Sequence, residues 1–541
     1  MPRALTSATY MFCLLAAALL WPVPLLATNN TVKAAGGGNY TTIQACAKVA
    51  LAGDTCTVYA GTYSGWTQST SGSSGSPITF TVNPRDAVTV TGGITLANGL
   101  SYVNFGQISG GCAAYGTTEA SPFGNFVAGG CFTLSGSGIS VGTTASYIVV
   151  SHNTLLGTEL FGGNSANNPS NCTLSYNLID STGYTTDIAV FPIWGNNNLI
   201  EYNYAGNTPG DFLNLGGRND IVRHNVFHDG TTGPTLEHID FLQVIGGISP
   251  TLSFSLIENN YEVHCYGDSG NCHFVMVRAS GGQIADTIIV RFNYVQNMDD
   301  SDGQIGSHDD GTSTTPNGEM YNNTFAPGGK VAANGQCFLF DSGYGTFLNN
   351  ICYNTTATSW SPDYFSQGGA YNGNLAYNTD CTTSCTWGAP YTSEATYSSL
   401  HNQNPLFANF PSSPVLMSGS PAEGAGVALT TVSSGCGSSS LTVGDAHPFQ
   451  PGWGPSNAPV SADWVRIGSS TIAQITSIDY TNNKLTFGTS VSCSTSDPVY
   501  LYKVTDGTVV LTGTKPDIGA YPYTGNSSQV SPPSALAAVV H

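Results

Sequence analysis

Hydrophobic and polar positions in this chain recur on a long period. From Tyr147 to Asn378 one phrase returns as YIVVSHN, NCTLSYN, NLIEYNY, DIVRHNV, SLIENNY, IIVRFNY, GEMYNNT, TFLNNIC and NGNLAYN. Aligning the phrases puts Asn153, Asn177, Asn203, Asn225, Asn260, Asn293, Asn323, Asn350 and Asn378 in one column, at spacings of 24, 26, 22, 35, 33, 30, 27 and 28 residues. A unit of that size with one short apolar strand cannot bury a core alone, so the pattern predicts a solenoid held together by stacking its coils. Val150, Ile200, Val222, Ile257 and Val290 stand three residues before the asparagine and suit the inward side of a strand. The asparagine itself suits a bend, where it tolerates a left-handed backbone and hydrogen-bonds its counterpart one coil away. Glu201, Arg223, Glu258 and Arg291 stand two residues before it and alternate in sign. With parallel strands ~4.8 Å apart, an outward column of this kind pairs its own charges.

An asparagine ladder on this period resembles the right-handed parallel β-helix of pectin-lyase-like proteins. GDTCTVYAGTYSGW (Gly53 to Trp66) is similar to the opening coil of secreted β-helix proteins, while NPLFANF, SPAEGAG and PDIGAYPY (Pro516 to Tyr523) are similar to their closing coils. The resemblance implies an all-β solenoid and leaves the activity open, since this scaffold hosts lyases, hydrolases, epimerases, adhesins and tailspikes.

The rest of the chain divides around that rod. Residues 1–27 read as a signal peptide, with Arg3 ahead of the apolar run Met11 to Leu20 and a cleavage point after Ala27. Residues 28–428 read as the β-helix, its N-terminal cap at about 28–66 carrying a helix over Tyr40–Leu51. Residues 429–512 break the period with short alternating strands such as DWVRIG, KLTFG and VYLYKV, which predict a small antiparallel β-module. A last coil is expected at 513–523 and a disordered tail at 524–541.

Removing the leader leaves 12 basic against 33 acidic residues, a formal charge of −21. Such a surface argues against nucleic acid and anionic membranes as partners, and no later stretch is long and apolar enough to span a bilayer. The expectation is a secreted, extracellular monomer with a polysaccharide as its partner. Thirteen cysteines remain, and neighbours in sequence offer the disulfides Cys46–Cys56, Cys112–Cys131, Cys265–Cys272, Cys337–Cys352, Cys381–Cys385 and Cys436–Cys493, leaving Cys172.

A second strand of each coil carries the candidate chemistry. Its phrases are DIAVF, DFLNL, DFLQV, HFVMV, QIGSH and CFLFD, so one column reads Asp187, Asp211, Asp240, His273, Gln304 and Cys337. Leu213, Leu242, Val275 and Leu339, two residues later, are the expected inward row. The column lies at the bend entering the strand, where its side chains can swing outward. Carboxylates stacked on successive coils repel unless protonated, hydrogen-bonded or bridged by a cation. The order Asp211, Asp240, His273 is similar to that of polygalacturonase-type hydrolases, which implies one aspartate as proton donor, another activating water and a histidine tuning the pair. The chain departs from that family by carrying DFL in place of a paired-aspartate strand and by lacking its Arg-x-Lys motif.

The expected catalytic set is therefore Asp211, Asp240, His238 and His273, where His238 and Asp240 share strand parity. Arg218, Arg278, Gln243, Asn214 and Glu237 are the expected substrate-binding residues, the arginines meeting substrate carboxylates. The loop MDDSDGQIGSHDDGT offers Asp299, Asp300, Asp302, Asp309 and Asp310 as ligands for Ca²⁺. A glycoside hydrolase using paired aspartates is the leading reading. A polysaccharide lyase acting on uronates and a non-catalytic surface or adhesion rod are the alternatives.

Overall fold

A computed structural model describes residues 27–523 apart from 107–111, 113–115, 136–137, 158–167, 183–190, 209, 232–238, 246–252, 267–271, 279–284, 299–302, 306–316, 327–335, 341–343, 354–360, 366–368, 378–399, 402 and 411. The chain winds as a right-handed parallel β-helix whose coils visit three sheets in turn. Sheet 1 has 13 strands, from Asn29–Val32 to Gly369–Asn372; sheet 2 has 13, from Gly61–Tyr63 to Leu400–His401; sheet 3 has seven, from Phe191–Ile193 to Ser361–Phe365. Within each sheet the strands follow coil order, so every strand pairs with its counterpart one turn away. Among the described residues no helix is long and apolar enough to cross a membrane.

The asparagines mark the corner between sheets 1 and 2. Each donates its backbone N–H to Oδ1 of the next asparagine at 2.8–3.0 Å, from Asn153 through Asn350. From Asn177 onward each Nδ2 donates to the carbonyl of an inward residue one coil back, such as Val150, Ile200, Val222, Ile257 and Val290. The ladder ends on Asn374, not Asn378, which lies outside the described residues. The left-handed residue is also not the asparagine but the one before it: His152, Tyr176, Tyr202, His224, Asn259, Phe292, Asn322 and Asn349 have φ between 53° and 61°. That turn points the following side chain inward, where every polar atom finds a backbone partner in place of water.

The middle strands of sheet 1, from Leu199–Glu201 to Ala285–Arg291, are buried on both sides. Leu174, Ile200, Val222, Ile257, Val290, Met320 and Phe347 face the solenoid core. On the outside, Leu199, Ile221, Leu256 and Ile289 form one row, packed against Leu441, Trp453, Val465 and Ile467. Those partners belong to a closed antiparallel barrel of six strands: Thr430–Ser434, Ser440–Val443, Trp464–Ile467, Thr471–Asp479, Lys484–Phe487 and Pro498–Lys503. This cover explains why phrases such as SLIE and IIVR are apolar in succession rather than alternating. The charged column pairs as its alternating signs predict, with Arg223–Glu201 at 2.7 Å and Arg291–Glu258 at 2.6 Å. It is sealed under the barrel, where Asp463 and Thr505 join it.

Two expectations shrink. The helix is five residues long, Ile43–Ala47, with Thr42 capping its first turn, so it is no helical cap over Tyr40–Leu51. Pro516–Tyr521 adds no strand; it crosses the outside of the asparagine corner, where Gly519 N–H donates to Asn349 O and Ala520 N–H to Thr324 Oγ1. Disulfides join Cys46–Cys56, Cys112–Cys131 and Cys436–Cys493. Cys265 and Cys352 are also disulfide-bonded, and Cys172 is free and buried.

Candidate functional site

On sheet 3 the strand phrase decides which side chains reach the surface. Phe212 and Leu213, Phe241 and Leu242, and Phe274 and Val275 are consecutive pairs, and both members of each pair lie in the core. A flat strand would send neighbours to opposite faces, so the chain bends between them. The bend turns the flanking residues, Asp211 with Asn214, Asp240 with Gln243 and His273 with Met276, to the same non-core side. Gln243 Nε2 accordingly donates to Asp240 Oδ2 at 2.9 Å across three residues, and approaches Met276 Sδ at 4.0 Å.

The three column residues form one chain of contacts. Asp240 pairs with His273 on adjacent strands, and His273 Nδ1 lies 2.7 Å from Asp240 Oδ1. Asp211 Oδ1, one coil earlier, accepts the Asp240 backbone N–H at 3.1 Å. Asp240 is 0 % exposed, against 6 % for both Asp211 and His273. Its two oxygens are thus taken by a histidine and an amide. Holding Nδ1 on a buried carboxylate assigns that nitrogen's proton to the Asp240 contact and the imidazole's remaining proton chemistry to Nε2.

Other expected members fall elsewhere. Gln304 pairs with Met276, in register with Asn214 and Gln243, and Ile305 pairs with Val277. Leu339 pairs with Gln304, one position out of register with Leu213, Leu242 and Val275, which moves Cys337 out of the column as well. One slip in register changes the face of every residue in a strand. Arg218 lies in the turn after the strand Leu213–Leu215, its guanidinium 4.8 Å from the ring of Phe254. The backbone of Arg278 pairs with Ile245 at the end of the His273 strand. Asp187, Glu237, His238 and the acidic residues Asp299, Asp300, Asp302, Asp309 and Asp310 lie outside the described residues. Among the described residues no group of three His, Cys, Asp or Glu is arranged to hold a metal ion. The aromatic setting of Arg218 had no local signal, because Phe254 and the rings that hold it, Trp453 and Tyr480, lie far from Arg218 in sequence.

No family model and no curated protein sequence matches the chain. Solved structures similar to it include an alginate lyase from Paenibacillus sp. str. FPU-7, at 14% identity and TM-score 0.36, covering 63% of this chain and 99% of that one. Pectate lyase Pel9A aligns at 13% identity and TM-score 0.38 over 75% of this chain and 94% of its own. A tailspike protein of E. coli bacteriophage HK620 aligns at 11% identity and TM-score 0.31 over 83% and 85%. Likeness of this degree concerns the β-helix fold alone.

Proposed function

We propose that the protein is an exported polysaccharide lyase that cleaves uronate-containing chains by β-elimination, with His273 as the base. The observation that carries this reading is the contact between His273 Nδ1 and the fully buried Asp240. A histidine oriented in this way takes a proton through Nε2. In the reaction, Nε2 removes the proton on the carbon bearing the uronate carboxyl. The electron pair forms a double bond to the neighbouring ring carbon, and that carbon's bond to the glycosidic oxygen breaks. The departing oxygen takes a proton from solvent. Asn214 and Gln243, in the adjoining row, hydrogen-bond sugar hydroxyls, and Arg278 at the end of the same strand offers charge for the carboxylate. The disulfides fit an oxidising compartment, consistent with export through residues 1–27.

Hydrolysis by paired aspartates needs one carboxyl to give a proton to the sugar oxygen and another to act at the sugar. Asp240 is engaged at both oxygens and sealed, so among the described residues it does not serve as the second carboxyl beside Asp211. The same engagement makes the aspartate column a poor Ca²⁺ cage, so calcium is assigned to the acidic loop Asp299–Asp310 on its sequence. A chelator should then lower the melting temperature and added Ca²⁺ restore it; identical melting curves remove calcium from the account.

The activity test is incubation with polygalacturonate, alginate and glycosaminoglycans. Ultraviolet-absorbing unsaturated ends should accumulate with the wild-type protein and vanish with His273→Ala. New reducing ends without that absorbance would replace elimination by hydrolysis.

A further inference from the structure

The barrel leaves one feature at its edge that neither packing nor the Asp240–His273 pair uses. Arg218 follows the strand Leu213–Leu215 through Gly216 and Gly217. Neither position admits a side chain: a Cβ at Gly216 would lie 2.1 Å from the Trp194 ring, and one at Gly217 1.6 Å from Gly195 O. The turn is pinned from both neighbouring coils. Arg218 N–H donates to Asn196 Oδ1 at 2.9 Å, and its carbonyl accepts from Asn197 N–H at 2.8 Å. Asn219 N–H donates to Phe254 O at 2.7 Å, and Asn219 O accepts from Gly454 N–H of the barrel at 2.9 Å. The Arg218 backbone therefore has no freedom, and its side chain is the part left to act.

That side chain is half-buried yet makes no hydrogen bond or ion pair among the described residues; its partner there is the face of Phe254, at 4.8 Å. Phe254 is held in turn by Trp453, edge-on at 5.9 Å, and by Tyr480 at 5.4 Å, both from the barrel. Three other arginines behave differently. Arg223 and Arg291 are buried against carboxylates, and Arg466 is bonded to the carbonyls of Gly513 and Thr514. In a chain with 33 acidic and 13 basic residues, a fixed guanidinium without a carboxylate is suited to take one from outside. Resting one face on a ring keeps the fork of N–H groups extended and leaves its edge for a planar anion.

We infer that Arg218, mounted on the Phe254 ring that Trp453 and Tyr480 hold, is a subsite for the carboxylate of an acidic sugar, built jointly by the rod and the barrel. It follows Asn214 of the sheet 3 row by four residues on the same coil, and the subsite is assigned to a sugar other than the reacting one. The barrel thus contributes to substrate binding besides covering sheet 1. The substrate class rests on the uronate reading above, but the subsite is tested apart from cleavage.

The test is affinity electrophoresis of His273→Ala protein through gels containing polygalacturonate or alginate, with dextran as the neutral control. Retardation is expected in at least one acidic gel and not in dextran, and it should weaken with added salt. Adding Arg218→Met, which keeps the stem on Phe254 but removes the charge, should weaken binding roughly ten- to a hundredfold. Arg218→Lys should restore part of it. Melting temperatures of the variants control for folding. Unchanged retardation in Arg218→Met, equal retardation in dextran, or no acidic polymer bound at all overturns the subsite. Acidic polymer bound through Arg218 but never cleaved overturns the lyase reading and leaves the subsite standing. Cleavage with a KM indifferent to Arg218→Met does the reverse.

Discussion

Sheets 1 and 3 belong to the same coils, and each carries a polar row on its outer side, yet the rows end in opposite states. On sheet 1 the acids meet arginines: Glu201 with Arg223, Glu258 with Arg291, and Asp463 of the barrel with Arg291 again. On sheet 3 the acid Asp240 meets a histidine and an amide. Both arrangements are buried, so burial and stacking do not separate structure from chemistry. The partner does. An arginine stays protonated and only cancels charge, whereas a histidine exchanges its proton in the range where enzymes work. The first row clamps two parts of the chain; the second is poised to move a proton.

The comparison is sharpest if each row is broken at its centre. Asp240→Asn keeps the side chain's shape but no longer holds the His273 proton, so turnover should fall by roughly 10²–10⁴-fold with little loss of stability. Arg291→Met should do the opposite. It strands Glu258 and Asp463 in a fully buried place and should cost roughly 3–5 kcal/mol in denaturant unfolding. The remaining folded protein should keep its activity. Equal damage to both properties in either variant would erase the distinction between the two rows.

The asparagine corner lies between these cases, since its groups are buried and neutral. Asn225→Leu removes the acceptor for Asn203 N–H and the donor to Ile200 O, and should cost roughly 1–3 kcal/mol. An unchanged melting temperature would show that the ladder follows the fold without supporting it.

How far the sequence exposed this depended on distance along the chain. The ladder was legible because each coil repeats its own phrase, and the D-F-L strand was legible because that phrase returns in register on successive coils, at Asp211 and Asp240. Gln304 was misplaced because a polar residue in a three-residue strand gives no periodicity, and the pairing follows Ile305 with Val277. NGNLAYN contains three asparagines, and only the hydrogen bond from Asn350 singles out Asn374 among them. The cover on sheet 1 could not be read at all: Arg291 meets Asp463 across 172 residues, and no local pattern records that contact. The setting of Arg218 was hidden for the same reason.

A smaller effect tests a second ladder at the corner before sheet 1, which the sequence concealed because its members differ. Cys172 N–H donates to Asn198 Oδ1 at 2.9 Å, and Asn198 N–H to Asp220 Oδ1 at 2.8 Å, so Asp220 occupies an asparagine's place. Asn198 Nδ2 donates back to Pro169 O; the matching atom, Asp220 Oδ2, is buried without a hydrogen-bond partner. It crowds Gly217 from the same side as Gly195 O, at 2.6 Å and 1.6 Å from a Cβ built there. Burial pushes the Asp220 carboxyl well above the usual range, against the opposing hydrogen bond from Asn198, and Cys172 beside it is pushed up to about 12. A carboxylic acid there can donate to Gly195 O as an asparagine would. Because the folded pKa is raised, the stability this group contributes is complete below the unfolded aspartate value of about 4 and is lost as pH rises through the folded one. Asp220→Asn supplies the same donor at every pH. It should leave stability at acid pH nearly unchanged and add about 1 kcal/mol at pH values where wild-type Asp220 must ionise or hold its proton at a cost. The check is the difference in denaturant midpoint between the two proteins across the pH range. A difference that is flat with pH, or an asparagine variant that loses stability toward alkaline pH as the wild type does, would show that Asp220 is not the titrating member of that ladder.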